Sequence, residues 1–143
     1  MIFQRESYYR LKMIEICVGE FDGFPEVEKM AGEVRRKGGF AADPRSVLDY
    51  LRRESTKTKN GEFVVFGSMI EHCLAELIKG LLELNNDAKV IVDLNRSRIK
   101  DGRDTNHPDE DELRARFERL AGRLSFECLS DERLKIFPDF RMR

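Results

Sequence analysis

Apolar positions along the chain switch between short continuous runs and a three-to-four spacing, and the switches mark the expected elements. Ile2 to Glu6 and Leu11 to Val18 (LKMIEICV) read as extended segments, and GEFDGFP at 19–25 breaks the second. Val27, Met30, Ala31 and Val34 then recur at helical spacing over 26–37, before Gly38-Gly39, where a helix would stop. Asp43-Pro44 supplies an N-cap oxygen and a first-turn proline for a helix over 44–53, with Val47, Leu48 and Leu51 on its apolar face. A polar stretch at 54–62 precedes FVVFG, a β-type run ending at Gly67. The next segment places Ile70, Cys73, Leu74, Leu77, Ile78, Leu81 and Leu82 on one helical stripe. AKVIVDL, almost continuously apolar, reads as a strand covered on both faces. A polar loop leads into a helix carrying Leu113, Phe117, Leu120, Ala121 and Leu124. LSFECL reads as a strand and Ser130 to Leu134 as a closing helical turn.

Strands separated by amphipathic helices require crossovers, so the expected class is α/β: a three-layer α/β/α domain with a mainly parallel sheet. With 143 residues, the chain fits a single domain over 1–143. Lys and Arg number 26 against 27 Asp and Glu, a formal net charge of -1. That balance provides no global field for a polyanion, so no nucleic-acid and no membrane partner is expected. No run approaches the roughly 20 apolar residues of a membrane span, and the first residues lose their apolar character at the fourth position. A cytoplasmic protein is expected. Cys17, Cys73 and Cys128 are odd in number, far apart and without CxxC or histidine-pair spacing, which argues against a disulfide framework and a zinc site. No motif implies a cofactor or a metal.

In an open parallel sheet, ligands bind beyond the carboxyl ends of the strands. The junction FVVFGSMIEHCLAELIKG carries a strand, Gly67, a turn and a helix to that edge, with Cys73 at or near the first turn. Backbone amides and the helix dipole there favour a thiolate. The same spacing also suits an inert core thiol, because Cys73 follows Ile70 by three and precedes Leu77 by four. His72 projects about 100° away from Cys73 on a helix, which makes a Cys-His dyad a poor fit. His107 reads as the lead-in to a helix, and Asp109, Glu110, Asp111 and Glu112 as complements to that helix's dipole. Arg96, Arg98, Lys100 and Arg103 form a basic loop on the ligand edge, open to reading as an anion site or as solvated surface. Asp93 shares that edge and could cap the following turn.

The strand ending in Gly67, five residues and then Cys73, an apolar helix and KVIVDL resemble the core of the isochorismatase-like cysteine hydrolases, which include nicotinamidases. DPRSVLDYL is similar to the helix preceding the cysteine strand, and DELRARFERLAGRLSFECLSDERL to the elements that close the family's sheet. The resemblance covers roughly residues 40–135, leaving 1–39 divergent, and implies an isochorismatase-like/Rossmann-like fold. It implies a turn, often with a strained or cis peptide, with Cys73 as nucleophile and Gly67, Met69, Ile70 and Glu71 lining a small-molecule substrate site. The family's supporting lysine and its aspartate base have two alternative placements. QRESYY is similar to the lysine strand and places Arg5 in the lysine's position; alternatively LKMIEICVGEFD is the opening strand, with Glu20 or Asp22 near the aspartate's place. Relative to the family the chain is expected to be short at its N-terminal end, so a catalytically silent relative serving as an oligomeric or ligand-binding module stands as the alternative. A missing edge strand would also favour a homo-oligomer.

Overall fold

Five parallel strands form the centre of the computed structural model, which describes residues 13–19, 21–54, 61–84 and 87–141. In chain order the elements are β1 (Met13–Gly19), α1 (Pro25–Arg36), β2 (Phe40–Ala42), α2 (Pro44–Arg53) and β3 (Glu62–Ser68). A π-helical turn (Ile70–Leu74) runs into α3 (Ala75–Leu84), followed by β4 (Lys89–Asp93), α4 (Glu110–Ala121), α5 (Phe126–Leu129) and β5 (Leu134–Phe137). The sheet order is β2-β1-β3-β4-β5. It is a three-layer α/β fold, as the alternation of strands and helices led one to expect.

Residue parity along each strand explains how the layers form. Ile16 and Val18 of β1, Phe63 and Val65 of β3, Val90 and Val92 of β4, and Leu134 and Ile136 of β5 face one side. There they pack with Val47, Leu48 and Leu51 of α2, Leu77, Ile78 and Leu81 of α3, and Phe117 and Leu120 of α4. Each such buried side chain contributes about 1.5–3 kcal/mol. On the opposite side, Cys17 of β1 and Phe66 of β3 meet Val27, Met30, Ala31 and Val34 of α1. Thus, among the described residues, α1 is the helix that covers one face, and α2, α3 and α4 share the other.

The helix signals at 26–37 and 44–53 match α1 and α2. Asp43 accepts from the Ser46 amide at 2.9 Å, which satisfies one of the donors that a helix start leaves unpaired. Two readings near the C-terminus are corrected. LSFECL forms no strand: Ser125 accepts from the Cys128 amide at 3.2 Å and caps the short helix α5 instead. The closing helical turn expected over Ser130 to Leu134 is replaced by a tight turn, with the Leu134 amide on the Asp131 carbonyl at 3.1 Å, and by strand β5. Alternating burial of Leu134 and Ile136 carries that strand, and pairing with β4 decided the matter where local pattern could not. Strand β2 is only three residues long and too short to stand out as a pattern. The expected segment Ile2 to Glu6 lies outside the described residues.

Candidate functional site

The site follows from topology. From β1 the chain crosses through α1 to β2 on one side, then returns through α2 to β3 on the other. The crevice outside the ends of β1 and β3 is therefore the switch point, where open α/β sheets bind ligands. Gly19 and Ser68 are the last register pair of these two strands. One loop then carries Phe21, Asp22, Gly23 and Phe24 toward α1, and the other carries Met69 and the π turn that holds Cys73.

Two glycines permit this closeness. At Gly67, φ is +137°, and an added Cβ would lie 2.0 Å from the Val18 carbonyl oxygen. At Gly19, φ is +120°, and a Cβ would lie 1.3 Å from the Ser68 carbonyl oxygen. Strand β1 therefore ends without a side chain at the crevice. The Ser68–Met69 peptide bond, in the turn after β3, is cis.

The loop after β4 secures the turn from the other side. The Arg98 amide donates to the Gly67 carbonyl at 3.0 Å, and the Ile70 amide donates to the Arg98 carbonyl at 2.8 Å. The Ser97 hydroxyl donates to the Asp93 carbonyl at 2.7 Å and accepts from the Gly67 amide at 3.3 Å. Glu71 is buried, accepting from the Lys100 amide at 3.1 Å and pairing with Arg119 of α4 at 2.7 Å. It ties the turn to both the loop and α4.

The basic loop is not uniformly solvated. Arg98 is fully buried, with its Nε on Asp104 at 2.9 Å and Nη2 on the Asn106 side chain at 2.9 Å. Arg116 of α4, equally buried, donates to the carbonyls of Leu94, Asn95, Arg103 and Thr105 and pairs with Glu112 at 3.3 Å. Burial, with the neighbouring Arg98 charge, lowers the Arg116 pKa from its ordinary value. Arg96 lies over the Phe66 ring at 3.8 Å and pairs with Asp93 at 2.6 Å and Glu15 at 3.0 Å. Asp93 also accepts from the Asn95 amide at 3.0 Å, so it does cap the turn. Arg103 pairs with Asp109 at 3.4 Å on the surface.

The expected site residues divide clearly. Cys73 is half-buried on the π turn, against the main core, and its neighbour His72 is exposed. Ile70 is fully buried in that core, whereas Met69 packs with Phe21 on the α1-side cluster. Glu71 is occupied by Arg119 and Lys100, and Asp22 is exposed in the turn after β1. Arg5 and Glu20 lie outside the described residues. Cys17 is fully buried, and burial pushes its thiol up to about 12. Cys128 is half-buried in α5 rather than in a strand. Among the described residues no group of His, Cys, Asp or Glu is arranged to hold a metal ion, and no helix is long and apolar enough to cross a membrane.

The positioning roles of Ser97, Arg98, Arg116 and Arg119 carry no sequence signal. Their partners are set by tertiary packing, as the 48-residue separation of Arg119 from Glu71 illustrates. Comparison of the chain with family models, curated proteins and solved structures gave no match in any of the three.

Proposed function

We propose that the chain is an isochorismatase-like domain that handles a small molecule in the β1/β3 crevice, with Cys73 as nucleophile toward the carbonyl carbon of an amide or related compound. The observation that carries the reading is the half-buried thiol on a π turn directly behind Gly67 at the switch point. Single π turns inside helices recur at functional sites. In the reaction, the Cys73 sulfur bonds to the carbonyl carbon while the C–N bond breaks and the amine leaves with a proton. Water then attacks the thioester, releasing the acid and returning the thiol. Backbone amides of the turn would hold the developing oxyanion, typically worth about 2.7–4 kcal/mol per donor. Asp22 and Arg5 are the proposed acid/base and charge partners.

One observation favours a second reading, a catalytically silent domain that binds a small ligand or assembles with itself. Strand β1 ends in Gly19, and the acid beside Cys73 on the turn, Glu71, is already engaged by Arg119. The two readings separate on one assay: release of ammonia from a panel of small primary amides, nicotinamide included. The hydrolase reading expects turnover by the wild-type chain that Cys73→Ala abolishes. A folded chain that turns over none of them supports the silent domain. A cytoplasmic homo-oligomer fits either reading: among the described residues β2 and β5 are the outer strands of the sheet, edges that a second copy could cover. Sedimentation equilibrium showing only monomer would exclude the oligomer.

A further inference from the structure

Away from the crevice, on the α1 face of the sheet, a cavity of about 170 Å³ opens between α1, β1 and the loop after β4. It is lined by the apolar Phe66, Met30 and Val34 and by the charged or polar Glu15, Glu33, Lys37, Arg96 and Asn106. The charges are of both signs and are unevenly satisfied. Arg96 lies over the Phe66 ring, with Nε on Asp93 and Nη1 on Glu15, while no bond of its Nη2 to a described residue is found. Among the described residues, no ion pair forms at the side chains of Glu33 and Lys37, although Glu followed by Lys four residues later is the favourable helical order. Asn106 is held through its oxygen by Arg98, which leaves its amide nitrogen on the Met30 sulfur at 3.4 Å, a weak acceptor.

We infer that this cavity is a binding site for a small zwitterion of the amino-acid type. Its carboxylate would sit on Arg96 Nη2 and the Asn106 amide nitrogen, with Lys37 also lining the cavity, and its ammonium group would meet Glu33. Each underused donor and charge then gains a partner of opposite character, in a site partly shielded from water where such pairs are stronger than on open surface. At about 30 Å³ per water, the volume corresponds to about five or six waters, which restricts the ligand to a few heavy atoms. A lone anion would leave Glu33 facing it, and a lone cation would leave Arg96 and Lys37 facing it.

Isothermal titration calorimetry on the full chain tests this with glycine and β-alanine as probes, and with acetate and methylammonium as half-probes. Saturable one-to-one binding of a zwitterion in the millimolar range or tighter is expected, with each half-probe weaker by at least about tenfold. Glu33→Gln, a shape-preserving change on a half-buried helix position, should weaken the zwitterion by about tenfold, equivalent to about 1.4 kcal/mol, and leave acetate unchanged or tighter. No saturable heat with either zwitterion, acetate binding as tightly as glycine, or Glu33→Gln and Lys37→Gln both leaving affinity unchanged would each overturn the proposal. Thermal unfolding of each variant confirms that it is folded before titration.

Discussion

Replacing Gly67 with Ala probes the contact on which the crevice is built. The added Cβ would lie 2.0 Å from the Val18 carbonyl oxygen and 2.8 Å from its nitrogen, both backbone atoms of the neighbouring strand. Neither can move aside without parting β1 from β3. At φ +137° the backbone is also in a region that side chains rarely adopt, a strain of about 1–3 kcal/mol. Forcing a methyl into packed structure adds about 1–3 kcal/mol. Together, Gly67→Ala should cost about 2–6 kcal/mol, a large part of the 5–15 kcal/mol by which domains are ordinarily stable. The same chemical change at Gly32 should act in the opposite direction. Gly32 lies inside α1 with nothing within 4 Å of an added Cβ, so Ala there gains about 0.8–1 kcal/mol of helix propensity. Urea unfolding followed by circular dichroism gives both values from midpoint and slope. A Gly67→Ala variant within about 1 kcal/mol of wild type would refute the close approach of β1 to β3, and with it the geometry of the crevice.

Other consequences can be tested alongside. Arg116→Met should destabilise the chain by about 3–5 kcal/mol, because it removes the ion pair of Glu112 and the guanidinium donors to the carbonyls of Arg103 and Thr105, while Leu94 and Asn95 keep the Ser97 amide and Arg98 as donors; urea unfolding reads this directly. Asp43→Ala should cost about 1 kcal/mol through loss of the α2 cap, measured the same way. The pKa values of Asp43, Asp131 and Asp139 are held below the ordinary carboxylate value by the Ser46 amide, Arg133 and Arg141 respectively. A lowered folded pKa stabilises the fold above the unfolded value of about 3.9, and that contribution disappears as pH falls through the folded values. Melting temperature should therefore hold from neutral pH to about 5 and decline below about 4. A flat profile through that range would contradict these contacts.

The sequence carried the fold wherever period and caps agreed. The proline and cap of α2, the stripe of α3 and the apolar run of β4 were all legible because local signals and tertiary burial point the same way. The pattern failed at the C-terminus, where LSFECL has the composition of a strand but Ser125 offers a cap and β4 pairs with the next apolar pair instead. The strand through Gly67 and the helical segment carrying Cys73 were legible from the apolar pattern. The occupation of Glu71 by Arg119, the burial of Arg98 in a loop open to reading as an anion site or as solvated surface, and the bare strand end at Gly19 depend on chain segments far apart in sequence. They became visible only once the sheet order brought those segments together.

Cysteine alkylation resolved residue by residue separates an activated Cys73 from an inert core thiol. Native chain is treated with limiting iodoacetamide at neutral pH, and mass spectrometry follows the modification of Cys17, Cys73 and Cys128. Cys17, fully buried with its thiol pushed up to about 12, should stay unmodified until the chain unfolds. Cys73 should react first and well ahead of Cys128, which shares its partial exposure but sits on the four-residue helix α5. Labelling of Cys73 no faster than Cys128 would contradict an activated nucleophile in the β1/β3 crevice.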